Sequence, residues 1–230
     1  MENNYKTIEY RGYNINVKYD FDPQSPREWD NLGVIYSNHR NYSPDGHSIK
    51  ELLEQECYQD DNYRFAPDKF SEDYIWLRIY AYIHSGITIS CGESCPYSDR
   101  WDSGLFGIIA VDKNAVRKEY NCTQISDDIR NKVIGVLESE VKTLDDYYTG
   151  SVYGFEVTKI DNDDEVLDSC WGYYGDDSLE DMEAECKSVI DGFIQKEKQA
   201  RLNYLRQRIK ERGIQLCLPF LDYPQTKVSI

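Results

Sequence analysis

The chain has 230 residues, enough to bury one good-sized core, and 40% hydrophobic with 13% aromatic content marks an ordered fold instead of a disordered acidic chain. Residues 1–186 hold 38 acids against 17 bases within a total formal charge of −16, a field that repels nucleic acid and argues against direct binding of it. No apolar run nears the roughly 18 residues of a bilayer span, and the start MENNYKTIEYRGY lacks a basic region followed by an apolar stretch, so a cytoplasmic protein without membrane contact is expected.

In chain order, Thr7 to Asp20 alternates as a strand pair around Arg11-Gly12. The segment Asp20 to Asn31, with two prolines, reads as a loop with one short helical turn leading into a strand at Leu32–Ser37. A short helix is expected within Ser48–Tyr58, where Ile49, Leu52 and Leu53 have helical spacing. Tyr74–Ser90 reads as two strands with a bend at Gly86, and Leu105–Val111 as a further strand. Lys113–Tyr120 and Ser126–Tyr147 are expected helices. In the second, Ile129, Val133, Val136, Leu137, Val141 and Leu144 form one stripe.

Ser151–Ile160 and Val166–Tyr174 read as an antiparallel pair joined by the acidic turn Asp161–Asp164. A long last helix follows from Ser178 to about Arg212, with one apolar stripe through Met182, Cys186, Val189, Ile190, Phe193 and Ile194. Leu202, Leu205 and Ile209 mark a second stripe. Without a regular βαβ rhythm, the expected fold is α+β: a mainly antiparallel sheet, helices on one face and a long C-terminal helix. Residues 1–177 would form an acidic body, and 178–230 the helix and tail of the same domain.

Charge divides this last region. Eleven acids and no base lie between Asp161 and Cys186, whereas residues 187–212 hold eight bases and three acids. The basic half should overhang the body, free for a partner or for a homodimer through the helix.

The chemistry-bearing residues are few. The seven cysteines are an odd, scattered set read as reduced thiols, and Cys91 and Cys95 form a lone Cys-x3-Cys without the second pair that zinc favours. Asp20, Asp22, Glu28 and Asp30 would suit a hard cation but lack the calcium-loop pattern, so a solvated loop is expected. No metal and no cofactor is therefore assigned. If the chain is an enzyme, Cys170 with His84 and Asp102 is the combination to test, because a thiol nucleophile needs a nearby base. Buried Cys beside Trp is ordinary packing, and a non-enzyme is the leaning.

Several segments resemble a family of proteins encoded by bacteriophages and related mobile elements. They are Ser25–Gly33 (SPREWDNLG) with His39-Arg40, His84–Thr88 (HSGIT), Trp101–Gly104 (WDSG), Val116–Tyr120, Gly150–Gly154 and Asp168–Gly175 (DSCWGYYG). The shared polar residues are Arg27, Glu28, Asp30, Asn31, His39, Arg40, His84, Asp102 and Ser103. The resemblance implies phage origin and action in the host cytosol, and carries no catalytic assignment.

Twenty tyrosines among 42 acids offer flat aromatic faces and carboxylates to arginine and lysine, which a groove built for nucleic acid presents. The leading expectation is thus an acidic protein that occupies the groove of a host nucleic-acid-binding defence enzyme, a restriction or CRISPR effector. Asp161, Asp163, Asp164, Glu165, Asp176, Asp177, Glu180 and Asp181 would supply the field. A small hydrolase or nucleotide-modifying enzyme, and a virion structural or assembly protein, are the alternatives. The leading reading requires carboxylates gathered on one presented surface and not neutralised by the terminal helix.

Overall fold

The computed structural model describes residues 4–53, 55–60 and 66–212. In chain order the elements are β1 (Asn4–Tyr10), β2 (Tyr13–Tyr19), a 3-10 turn (Pro26–Glu28), β3 (Val34–Ser37), β4 (His47–Ser48) and α1 (Ile49–Leu53). A second 3-10 turn (Glu56–Tyr58), α2 (Pro67–Asp73), β5 (Tyr74–Ile83), β6 (Ile87–Cys91), β7 (Ser103–Asp112) and α3 (Lys113–Glu119) follow. The chain then forms α4 (Asp127–Thr149), β8 (Val152–Lys159), β9 (Asn162–Tyr174) and α5 (Ser178–Arg212).

The mixed α+β content, the antiparallel pairing and the long C-terminal helix are as the sequence implies. The strands, however, divide between two sheets. β1-β2-β8-β9 form a four-stranded antiparallel sheet, and β4-β3-β7-β5-β6 a five-stranded one in which only the short β3–β4 pair is parallel. Alternation reports a strand's period and not its neighbour. β2 pairs with β8, far along the chain, setting Ile15 opposite Val157 and Val17 opposite Phe155.

One face of the four-stranded sheet is covered by the first half of α5. Met182, Cys186 and Ile190 recur at helical spacing and pack on Tyr13, Ile15, Val17, Phe155 and Val157, all buried. Each such apolar side chain contributes roughly 1.5–3 kcal/mol of transfer free energy.

The five-stranded sheet is covered on both faces, where the sequence implied one. On β7, Ile109 and Val111 point to the side of α4, meeting Val133, Leu137, Val141 and Leu144. Ile108 and Ala110 point to the other side, where Leu52, Tyr58 and Phe70 pack. Phe70, fully buried, is the single inward anchor of α2. Ser126 caps α4 by accepting the Ile129 N–H at 3.3 Å, and Gly150 closes the helix with φ of 75°.

The expected helix over Ser48–Tyr58 is shorter, one turn of α-helix and then a 3-10 turn. The acidic connection is also tighter than expected, since the chain turns at Ile160-Asp161 and β9 begins at Asn162.

Candidate functional site

Among the described residues β9 is the outer strand of its sheet, with β8 as its one neighbouring strand. Its side chains make this edge acidic. Asp161 and Glu165 are exposed, and Asp168 half-exposed, along the hairpin and strand, with Asp176 and Asp177 exposed in the turn that follows. Glu180 and Asp181 are exposed in the first turn of α5. The side chains of Asp163 and Asp164 lie outside the described set. Charges on an open edge also keep it from pairing with a strand of another molecule.

Tyrosine hydroxyls hold two carboxylates of this region, and a cation holds a third. Tyr153, itself buried, donates to Asp176 at 2.5 Å, and Tyr173 donates to Glu185 of α5 at 2.7 Å. A phenol orients a carboxylate without cancelling its charge. The same contacts act on the phenols: burial first, then the adjoining carboxylates, push the Tyr153 and Tyr173 hydroxyls well above the usual range. Lys142 makes an ion pair with Asp177 at 3.0 Å and approaches Asp146 at 3.5 Å. Burial raises Asp146 in spite of that lysine.

The opposite edge, at β1, is built differently. Arg11 pairs with Asp191 at 2.7 Å, and Lys6 approaches Glu183 at 3.8 Å, while Lys187 holds Glu183 at 2.6 Å. Cations thus answer the acids of α5 on that side. Of the basic terminal helix, Lys187 reaches an acid of the Asp161–Cys186 stretch, and residues 195–208 are exposed.

Exposed apolar side chains interrupt the acidic edge. Val166 and Trp171 stand outward on β9, and the Trp171 indole lies across Gly154 of β8, where any Cβ would overlap it. That close approach explains glycine at position 154.

The structure brings His84 and Asp102 together and leaves Cys170 elsewhere. His84 follows β5, whose Ile83 N–H donates to the Asp102 carbonyl at 2.7 Å, and this places the His84 Nδ1 2.7 Å from Asp102 Oδ2. With Nδ1–H donated to the carboxylate, Nε2 is the basic nitrogen. Asp99 fixes the loop by accepting the Trp101 and Asp102 N–H groups and the Ser103 hydroxyl, while Trp101 is 97% exposed. His39 enters the same neighbourhood. It lines a cleft of about 330 Å³ with Asp102, Ser103 and Phe106, and its ring stacks on Phe106. Arg40 beside it is exposed.

Cys170 is on β9 in the other sheet, its Sγ 3.9 Å from the Trp171 carbonyl, so the expected triad is divided between a His–Asp pair and a distant-sheet thiol. Burial, with Glu138 adding, pushes the Cys91 thiol to about 12 and disfavours a thiolate there. Asp20 and Glu28 are engaged locally, Asp20 accepting the Asp22 N–H and Glu28 the Gln24 amide. Among the described residues no group of three or more His, Cys, Asp or Glu is placed to hold a metal.

Arg27, one of the polar residues of the resemblance and part of the segment expected to be a solvated loop, is internal. Its side chain is 4% exposed and makes a bidentate contact to Asp45 at 2.7 and 2.8 Å, a third bond to Glu140 at 2.9 Å and a fourth to the Gly33 carbonyl at 2.6 Å. Burial opposes its charge, and the bonds to the two carboxylates outweigh that, so its pKa lies above the ordinary value. Glu140 also accepts the Leu32 N–H and Asp45 the Ile35 N–H, tying the loop, β3 and α4 together. Asn31 closes the same loop by donating to the Pro26 carbonyl at 2.9 Å. Asp45 and Glu140 carried no sequence signal, since both are far from Arg27 in the chain.

Among the described residues no helix is long and apolar enough to cross a membrane. No protein-family model, curated protein or solved structure matches the chain.

Proposed function

We propose that this chain is an acidic binding protein whose β9 edge occupies a basic groove on a nucleic-acid-handling protein, excluding nucleic acid by charge. The observation that carries the reading is the contrast at the sheet's two edges. On the β9 side Asp176 and Glu185 are held by the hydroxyls of Tyr153 and Tyr173, with Lys142 answering Asp177, whereas on the β1 side Lys6, Arg11 and Lys187 pair with Glu183 and Asp191. Val166 and Trp171 add contact area between the charges. The resemblance to phage-encoded proteins makes a host defence enzyme, a restriction or CRISPR effector, the class of partner. Titrating the protein into complexes of such effectors with labelled DNA should release the DNA, less so as salt rises. Displacement insensitive to salt, or none across the effectors, contradicts the reading.

One observation favours a second reading, a hydrolase. In the His84–Asp102 pair the imidazole is exposed and lines a hollow with Tyr82, Thr88 and Tyr148, while Asp102 borders the His39 cleft, an arrangement suited to general-base catalysis. On that reading His84→Gln abolishes hydrolysis of phosphodiester or ester substrates with the fold intact. A wild type inactive on both substrate classes removes it.

A further inference from the structure

α5 carries two apolar stripes on different sides. Met182, Cys186 and Ile190 face the four-stranded sheet and are buried. Leu202, Leu205 and Ile209 recur three and four residues apart, and at about 100° per residue they project roughly 130° around the helix from the first stripe. Leu202 is 48% and Leu205 47% exposed. A stripe so rotated does not extend the packing on the chain's own sheet. As α5 is one continuous helix through Arg212, it cannot fold its end back onto the chain's own body.

The outer face of α4 offers a matching surface. Its groove of about 660 Å³ has an apolar floor formed by Pro26, Trp29, Tyr120 and Val136. Gly135, Ser139 and Thr143 run along it one turn apart, and open space above Gly135 keeps the relief low enough for another helix to lie close. Asp30 and Glu119 border the adjoining hollow, and Lys132 is the cation among the lining residues.

We infer that the basic end of α5 from a second copy of this chain seats in the α4 groove, with Leu202, Leu205 and Ile209 on its floor. Charge selects this occupant. Residues 195–212 hold seven bases and two acids, so two such helices repel each other, while residues 1–186 carry −21. Exchanging the two ends reciprocally gives a closed twofold dimer, each basic end meeting an acidic body. The contact uses none of the carboxylates of the β9 edge and does not rest on the function proposed for them, although Trp29 of the groove meets Tyr174 at the end of β9, ring centroids 5.0 Å apart.

Sedimentation velocity on the full chain tests the inference. The wild type should dimerise, with dissociation rising as salt is added. Leu205→Glu on the helix and Val136→Glu in the groove should each weaken the dimer at least tenfold. Both positions are solvent-exposed, so circular dichroism should stay unchanged. Mixing the two variants should restore a heterodimer, because one undamaged helix then meets one undamaged groove. A monomeric wild type overturns the inference. So does a dimer broken by Leu205→Glu and indifferent to Val136→Glu, the signature of helix pairing with helix. Binding of the wild type to anionic lipid vesicles, lost in Leu205→Glu while no dimer is found, would assign the stripe to a membrane surface instead.

Discussion

Charge serves two different ends in the interior beside β3 and along the β9 edge. Around Arg27 the charges are held together: one guanidinium bonds two carboxylates, and those carboxylates also accept backbone N–H groups. Along and just after β9 the carboxylates are largely exposed, with Asp176 held by the Tyr153 hydroxyl and Asp177 by Lys142. The lesson is that the acidic composition is not uniform in effect. Paired charges fix the fold, and the excess is carried where solvent or a partner can answer it.

The largest effect should follow from breaking the interior set. Arg27→Met leaves Asp45 and Glu140 buried without their cation, and chemical denaturation should register a loss of about 3–5 kcal/mol. A loss near zero would show that the network is not structural. Next, Tyr153→Phe removes one hydrogen bond to a carboxylate, with an expected cost of about 1.5–3 kcal/mol.

The same hydroxyls give a pH signature. Tyr153 and Tyr173 have folded pKa values raised above the unfolded value of about 10. Their contribution is therefore complete below about pH 10 and is lost as pH rises toward the folded values. Spectrophotometric titration should reveal late-ionising tyrosines, with one fewer in Tyr153→Phe. Titration of all tyrosines together near pH 10 would contradict that.

The smallest effect belongs to the β1 edge. Lys6→Ala should change stability by less than about 1 kcal/mol, because its pair with Glu183 is exposed and Lys187 remains to hold that carboxylate. A larger loss in thermal denaturation would mean that the two edges are not distinguished in the way described.

Much of the local structure was legible because it depends on period. Tyr13, Ile15 and Val17 announced the inward side of β2, and Val133, Leu137, Val141 and Leu144 that of α4. The division into two sheets was not legible, since nothing local in β2 names β8 as its neighbour. α2 escaped notice because its burial rests on Phe70 alone. Of the polar residues singled out, His84 and Asp102 do meet, while Arg27 and Asn31 hold the loop together. A buried charge cannot be recognised without its partners, and Glu140 lies 113 residues away.

The most direct measurement compares two variants of equal net charge in DNA displacement from a susceptible effector. One carries Asp161→Asn, Glu165→Gln, Asp177→Asn and Asp181→Asn near the β9 edge. The other carries Asp68→Asn, Glu72→Gln, Glu93→Gln and Asp128→Asn, all exposed on or beside the five-stranded sheet. Loss of displacement by at least tenfold in the first alone is the expected result. Equal loss in both would mean that total charge, and not an oriented edge, is what the partner meets.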